Sequence, residues 1–314
     1  MKAALIDHFT TPPTWQDYPE PQPQEDEVLI DVRAAALSQL VRARASGQHY
    51  SVRSLPLPQI AGVDGVGTLP DGRPAYFVLA RAPYGTMAER APVRIDHTVA
   101  LPEGLDPVLA AGLANPGMSS WAALAERARV KPGETVLVNG ATGTSGQLAV
   151  KVARHMGAAR VIATGRNQAV LDSLGADATI GLNASAEDLA LRFASCLSEG
   201  VDVVLDYLWG PSALALLSTA ARLAPHGREM RFVQIGTMAA AEIALPGAVL
   251  RSNSISLMGS GFGSVSLPRL LHTIGALFKA AAQEGWTIPL DTLAMEEVHQ
   301  AWQRPGSDRI VLVR

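Results

Sequence analysis

Three glycines are spaced three residues apart where a hydrophobic run leads into a helical pattern: Gly140, Gly143 and Gly146. The run at residues 136–138 predicts a buried strand, and the pattern at about 145–156 predicts a helix. Glycines here let the backbone turn sharply and come close to an anion, while the first amides of the helix point at it. A second apolar run at 161–164 completes a strand–helix–strand unit. The pattern predicts a cradle for the pyrophosphate of a dinucleotide, formed by Gly140, Thr142, Gly143, Thr144, Ser145 and Gly146.

The glycine spacing is weak support by itself, because many tight turns need glycine only for backbone reasons. The usual fingerprint would have its first glycine at the position of Ala141, so this chain departs from it there. Strand, turn, helix and second strand nevertheless follow in the required order, and this context favours nucleotide binding.

The end of the second strand decides which dinucleotide is preferred. NAD-binding chains have Asp or Glu there, to accept hydrogen bonds from the adenine ribose. This chain has Arg166 and Asn167 instead, and a guanidinium group suits a phosphate dianion. The sequence therefore favours NADPH over NADH. The other interpretation is that Arg166 is a solvated loop arginine.

Strands and helices alternate through the middle of the chain. Further apolar runs occur at 178–181, 201–206, 231–236 and 254–259, and helical patterns between them include 187–196 and 212–223. Such alternation predicts an α/β fold with a doubly wound parallel Rossmann sheet, whose ligand lies across the carboxyl ends of the strands. The first hundred residues are instead rich in proline and short strands.

Motifs outside the glycine loop follow one another in a fixed order. They are the N-terminal MKAALIDHF, the segments at 27–36, 61–67 and 84–89, and the lead-in at 130–136. In this order they resemble the medium-chain dehydrogenase/reductase superfamily. The resemblance implies a GroES-like, β-rich catalytic domain formed by 1–114 and 260–314, and a dinucleotide-binding domain over 115–259. A helix over about 267–283 and a strand over 309–313 should belong to the catalytic domain.

The positions of that superfamily's catalytic zinc ligands have other residues here. Ser38 stands at the first cysteine, Val63 stands at the histidine, and Cys196 is the only cysteine. A zinc site needs at least three convergent N, S or O ligands. The chain therefore resembles the zinc-free quinone oxidoreductases. That resemblance implies reduction of quinones or other α,β-unsaturated carbonyl compounds with NADPH and without a metal.

The resemblance also implies residues at the nicotinamide end of the cofactor. Ser38 stands where the quinone oxidoreductases have an asparagine, and Ser119 corresponds to a threonine that faces the carboxamide, with Asn115 nearby. Ser119 has a second interpretation as the N-cap of a helix over 121–127.

Three loops after predicted strands should also border the cofactor. Their candidate contacts are Leu208, Gly236, Thr237, Gly261 and Phe262. Trp209 and Phe262 either form apolar walls for a planar substrate or belong to the ordinary core.

Hydride transfer needs orientation and a dry pocket more than it needs a strong acid. If a side chain protonates the product, the candidates are Tyr50, Tyr84 and Ser38. The other interpretations are that water supplies the proton and that these tyrosines pack or face solvent.

The composition of the chain limits the kinds of partner that it can bind. The chain has 314 residues and a net charge of -3, so no global basic field indicates nucleic acid or an anionic membrane. No apolar run is long enough to span a bilayer. We expect a cytoplasmic protein, Cys196 as a small buried hydrophobe, and a homodimer of the kind the resemblance implies. Two other functions remain open: an enoyl-thioester reductase and a non-catalytic NADPH-binding protein.

Overall fold

The computed structural model describes residues 1–48, 56–304 and 309–314. The chain divides into two compact units. Unit 1 consists of Met1–Asn115 and Leu271–Arg314, and unit 2 is Pro116–Leu270.

The described strands are, in chain order, β1 (Lys2–Ile6), β2 (Thr14–Asp17), β3 (Glu27–Leu37), β4 (Gln59–Ile60), β5 (Asp64–Thr68), β6 (Pro74–Val78), β7 (Arg90–Arg94), β8 (Thr98–Ala100), β9 (Thr135–Asn139), β10 (Arg160–Gly165), β11 (Ala178–Gly181), β12 (Val203–Asp206), β13 (Met230–Gln234), β14 (Ile255–Gly259), β15 (Leu290–Ala294) and β16 (Arg309–Val313).

The described α-helices are α1 (Gln39–Ala45), α2 (Pro107–Ala122), α3 (Thr144–His155), α4 (Gln168–Ser173), α5 (Ala186–Glu199), α6 (Gly210–Leu223), α7 (Gly247–Ser252), α8 (Leu267–Glu284) and α9 (Val298–Gln303). A π-helical segment, Ala123–Ala128, continues α2. In the part of the chain that the structure describes, no helix is long and apolar enough to cross a membrane.

Unit 2 contains a six-stranded parallel sheet in the order β11-β10-β9-β12-β13-β14. The order reverses between β9 and β12, which confirms the predicted doubly wound fold. In such sheets the ligand crevice lies at this reversal, outside the carboxyl ends of the strands.

Burial on both faces explains the apolar runs of this sheet. Residues 136–138 of β9 and 161–163 of β10 have no exposed surface. Parallel strands covered by helices on both sides read as continuous hydrophobic runs rather than as alternating ones. Large side chains from α5, α6 and β13 fill one side, including Phe193, Leu216 and Phe232.

Unit 1 is β-rich, as the resemblance implies. Its larger sheet has seven strands in the order β15-β16-β3-β5-β6-β8, with β7 paired to β3. Most of these pairs are antiparallel, and a second sheet has the order β2-β1-β4.

Helix α2 corrects one prediction. Ser119 had a second interpretation as the N-cap of a helix over 121–127, but α2 (Pro107–Ala122) already contains Ser119 and continues through Pro116. The hydroxyls of Ser119 and Ser120 donate to the carbonyls of Pro116 (2.8 Å) and Gly117 (3.0 Å). Serines inside a helix commonly bond back to the preceding turn in this way. The N-cap interpretation of Ser119 is therefore wrong.

Cys196 lies buried on α5, as predicted, and its thiol donates to the carbonyl of Phe193 (3.2 Å). Burial raises the pKa of Cys196 to about 11. Since the thiolate is the reactive form, the native thiol should be inert at pH 8. We expect a disulfide reagent such as Ellman's to label one thiol per chain only after denaturant is added. Rapid labelling of the native protein would contradict this burial.

Candidate functional site

The glycine loop joins β9 to α3, and its three glycines differ in what they do. Gly140 has φ +95°, a conformation that favours glycine, and a Cβ there would lie 2.9 Å from Leu208 Cγ. A Cβ on Gly146 would lie 2.3 Å from the carbonyl oxygen of Gly140. Gly143 is exposed, and a Cβ on it would meet no atom within 4 Å. Two glycines therefore allow the chain to pack, while Gly143 keeps the outer side of the loop open.

The start of α3 is suited to an anion. Gly143 is its N-cap residue and provides no side-chain acceptor for the first amides. Those amides and the helix dipole favour a negative group. Gln147 Nε2 donates to the carbonyl of Thr142 (3.1 Å) and ties the loop to the helix. An open glycine before an uncapped helix is an arrangement suited to a pyrophosphate.

A buried polar network lies at the ends of three strands beneath this loop. Thr164 Oγ1 donates to Asn139 Oδ1 (2.7 Å), and Asn139 Nδ2 donates to Asp206 Oδ1 (2.7 Å) and to Ser212 Oγ (3.0 Å). The three strand residues have no exposed surface. The network fixes β9, β10 and β12 at their carboxyl ends. The sequence pattern does not single these residues out, although each is the polar residue at or next to the end of an apolar strand.

Asp206 also fixes the loop that follows β12. Its carboxylate accepts the backbone N–H groups of Leu208 (3.1 Å) and Trp209 (3.1 Å to Oδ2). These bonds hold Trp209 at φ 58°, which is unusual for a large side chain. Burial raises the pKa of the Asp206 carboxyl, outweighing the opposite effect of the donated hydrogen bonds.

The structure brings together the loops that follow β9, β12 and β13. Leu208 lies against Gly140, and a Cβ on Gly236 would lie 2.6 Å from the carbonyl oxygen of Tyr207. The N–H of Met238 donates to that same oxygen (3.3 Å). Glycine at 140 and 236 therefore permits three neighbouring loops to pack closely. Thr237 is exposed beside them.

Arg166 follows the last residue of β10 and is exposed. Its backbone oxygen accepts from Asn183 Nδ2 (3.0 Å), but no described residue pairs with its guanidinium group. Asn167 caps α4 by accepting the N–H of Val170 (3.2 Å). A Cβ on Gly165 would lie 2.3 Å from Thr142 Cγ2, so the glycine loop and the Arg166 loop lie side by side.

The remaining residues predicted to border the ligand in unit 2 differ in their exposure and packing. Gly261 donates its N–H to Ser264 Oγ (2.8 Å) in a turn after β14. Phe262 on that turn is 43% exposed, so its core interpretation is wrong. Trp209 is half-buried and packs edge-on against Phe232 of the core, at 6.4 Å between ring centroids.

Asn115 and Ser119 are one helical turn apart on α2, and both are half-buried. Residues spaced by four lie on the same face of a helix. Asn115 is the last residue of the first segment of unit 1, while Ser119 belongs to unit 2.

The candidate proton donors belong to unit 1. Ser38 is buried and caps α1 by accepting the N–H of Val41 (3.1 Å). Tyr84 packs edge-on against Tyr18, at 5.9 Å between centroids, and under the guanidinium of Arg81. Tyr50 lies outside the described residues.

The positions of the superfamily's zinc ligands do not form a ligand set. Val63 is buried, and the neighbouring Asp64 is enclosed, accepting a hydrogen bond from the hydroxyl of Tyr76 (3.2 Å). Burial raises the pKa of the Asp64 carboxyl. Among the residues that the structure describes, no three His, Cys, Asp or Glu side chains are grouped so that they could hold a metal ion.

Known proteins resemble all or part of this chain. A family described as zinc-binding dehydrogenase matches residues 146–276. The probable NADPH-dependent quinone reductase tdiC of Emericella nidulans is 32% identical over 100% of both chains. A polyketide synthase subunit of Mycobacterium tuberculosis, named for phenolphthiocerol and phthiocerol, is 31% identical over 68% of this chain and 10% of its own length.

Two solved structures have the same fold over essentially the whole chain. The quinone oxidoreductase of Thermus thermophilus, solved alone and with NADPH, has a TM-score of 0.78 and 27% identity, covering 100% of both chains. A mycobacterial quinone oxidoreductase has a TM-score of 0.82 and 23% identity over the same coverage. This chain belongs to the quinone oxidoreductase branch of the medium-chain dehydrogenase/reductase superfamily.

Proposed function

We propose that the chain is an NADPH-dependent reductase that transfers hydride to a quinone or another α,β-unsaturated carbonyl compound without a metal ion. The observation that carries this proposal is the open glycine loop at the uncapped start of α3, with an exposed Arg166 on the adjacent loop whose guanidinium pairs with no described residue. The Thermus thermophilus structure with NADPH and the name of the Emericella nidulans relative support the choice of cofactor.

In this proposal unit 2 binds the nucleotide. The amides around Gly143, Thr144 and Ser145 receive the pyrophosphate, and Arg166 with Asn167 receives the 2′-phosphate. Toward the nicotinamide end, the proposed contacts are Asn115, Ser119, Leu208, Gly236, Thr237, Gly261 and Phe262. For Leu208, Gly236 and Thr237 the support is that the loops after β9, β12 and β13 meet at the carboxyl ends of adjacent strands, and the other four contacts are proposed from the family resemblance.

NADPH supplies a hydride when bound, and the chain's task is to orient the acceptor and exclude water. Unit 1 is proposed as the catalytic domain. Tyr84, Tyr50 and Ser38 are the side chains that would give a proton to the reduced oxygen, and water serves if none does. The oxygen of Ser38 already accepts a backbone N–H, so the hydrogen of its hydroxyl is the part left for donation.

The donor set supports the proposal that no metal takes part. Val63 offers no ligand atom, Ser38 caps a helix, and the carboxylate of Asp64 is enclosed with Tyr76. A catalytic zinc needs three protein ligands with an open fourth position.

A panel of acceptors tests the proposal. Simple quinones, enones and enoyl thioesters are each mixed with purified protein and NADPH, with and without a strong chelator, and NADPH oxidation is followed. We expect turnover of quinones or enones that the chelator leaves unchanged. Loss of activity with the chelator, together with stoichiometric zinc in the protein, would overturn the metal-free step.

The same panel separates the other two functions. The partial match to polyketide synthases is the reason for including enoyl thioesters, and turnover of these alone would make the chain an enoyl-thioester reductase. NADPH binding with no acceptor turned over would indicate a non-catalytic binding protein.

A further inference from the structure

Tyr207 lies at the end of β12, directly after Asp206, and its side chain is buried. Its hydroxyl has no hydrogen-bond partner in the described chain. Burial raises the pKa of Tyr207 to about 12, and the nearby hydroxyls of Ser119 and Ser120 lower it in part. The phenol is therefore close to both serines without satisfactory hydrogen-bond geometry to either.

Neither serine has a free hydroxyl hydrogen with which to donate a hydrogen bond to Tyr207. A serine hydroxyl holds one hydrogen, and those of Ser119 and Ser120 already point to backbone carbonyls of α2. Both oxygens keep lone pairs that can accept a hydrogen bond. A buried hydroxyl without a partner destabilises a folded chain, so this one calls for an explanation.

The backbone of Tyr207 is fixed even though its hydroxyl is not. Its N–H donates to the carbonyl of Asn139 (3.0 Å), and its carbonyl accepts from Met238 (3.3 Å). Gly236 packs directly on this peptide. The peptide of Tyr207 is therefore held on both sides, its side chain is buried, and only its hydroxyl is without a partner among the described residues.

We propose that Tyr207 is a positioning residue for the nucleotide that acts through Ser119. In the free chain the hydroxyl of Ser119 donates its hydrogen bond to the carbonyl of Pro116. When the Ser119 hydroxyl turns to donate to an amide carbonyl of the bound ligand, its oxygen can accept a hydrogen bond from the Tyr207 hydroxyl, and the phenol gains the partner that it lacks. This inference rests on the proposed function, because the ligand amide is the carboxamide of NADPH.

The free chain and the complex should respond to Tyr207→Phe in opposite ways. The variant removes only the unpaired hydroxyl, so the melting temperature of the free protein should be no lower than that of wild type. The dissociation constant for NADPH should rise about three- to tenfold, the loss of one neutral hydrogen bond. Unchanged affinity, or a free protein destabilised along with weaker binding, would overturn the inference.

A double-mutant cycle identifies the serine. In a Ser119→Ala background, Tyr207→Phe should cost nothing further in NADPH affinity. In a Ser120→Ala background it should cost as much as in wild type. Equal costs in both backgrounds would overturn the role of Ser119. Wild type that binds no NADPH would instead refute the proposed function itself, so the two failures are distinguishable.

Discussion

Gly143→Val is expected to fold normally and to lose roughly a hundredfold or more in NADPH affinity. The backbone of Gly143 has φ -82°, which valine adopts readily, and its Cβ would enter open space. That space is where phosphate oxygens must approach the first amides of α3. Losing two charge-assisted hydrogen bonds at about 1.5 kcal/mol each gives this factor, since 1.4 kcal/mol corresponds to tenfold. Calorimetric titration of the variant measures it.

Two further valine variants serve as controls for Gly143→Val, one at a packed glycine and one at an exposed glycine outside the loop. In Gly146→Val the new side chain would meet the backbone of Gly140 and Ala141 within 3 Å, so the variant should be destabilised by about 1–3 kcal/mol or fail to fold. Gly247→Val, at the exposed start of α7, should change neither stability nor binding. A folded Gly143→Val protein with wild-type affinity would show that this loop is not the cradle.

Arg166→Ala is expected to weaken NADPH binding by about ten- to a hundredfold and to leave NADH binding nearly unchanged. A charge-assisted contact to a phosphate contributes about 1.5–3 kcal/mol, and NADH has no 2′-phosphate to lose. The contact is exposed and partly screened, so both nucleotides must be compared at one salt concentration. The fluorescence of the bound reduced nucleotide gives both dissociation constants.

Matched variants separate the contact from net charge. Arg222→Ala removes another exposed arginine, from α6, and should leave both affinities unchanged. Arg166→Lys should bind NADPH with an affinity between those of wild type and Arg166→Ala, because lysine keeps the charge without the paired donors. If NADPH and NADH affinities fall together in Arg166→Ala, Arg166 supports the loop instead of binding the phosphate.

The sequence predicts the nucleotide unit well because its signals are local. Strand β11 (Ala178–Gly181) has the predicted bounds, and α3 differs from its predicted bounds by one residue at each end. Buried parallel strands are continuous apolar runs, and the glycines mark places where another backbone comes close.

The features that the sequence does not reveal depend on distant contacts. Asn139, Thr164 and Asp206 are far apart in the chain and form a network only because β9, β10 and β12 are neighbours. Helix α2 continues through Pro116, where local rules predict a break. The exposed position of Phe262 likewise depends on a turn that the sequence pattern does not define.

The central claim is that NADPH binds across the carboxyl ends of the unit 2 strands. Hydrogen–deuterium exchange of the wild-type protein, with and without saturating NADPH, tests it most directly. We predict slower exchange in peptides that cover 140–147, 164–168 and 207–209. Unchanged exchange in these peptides at saturating NADPH, or protection confined to other segments, would contradict the claim.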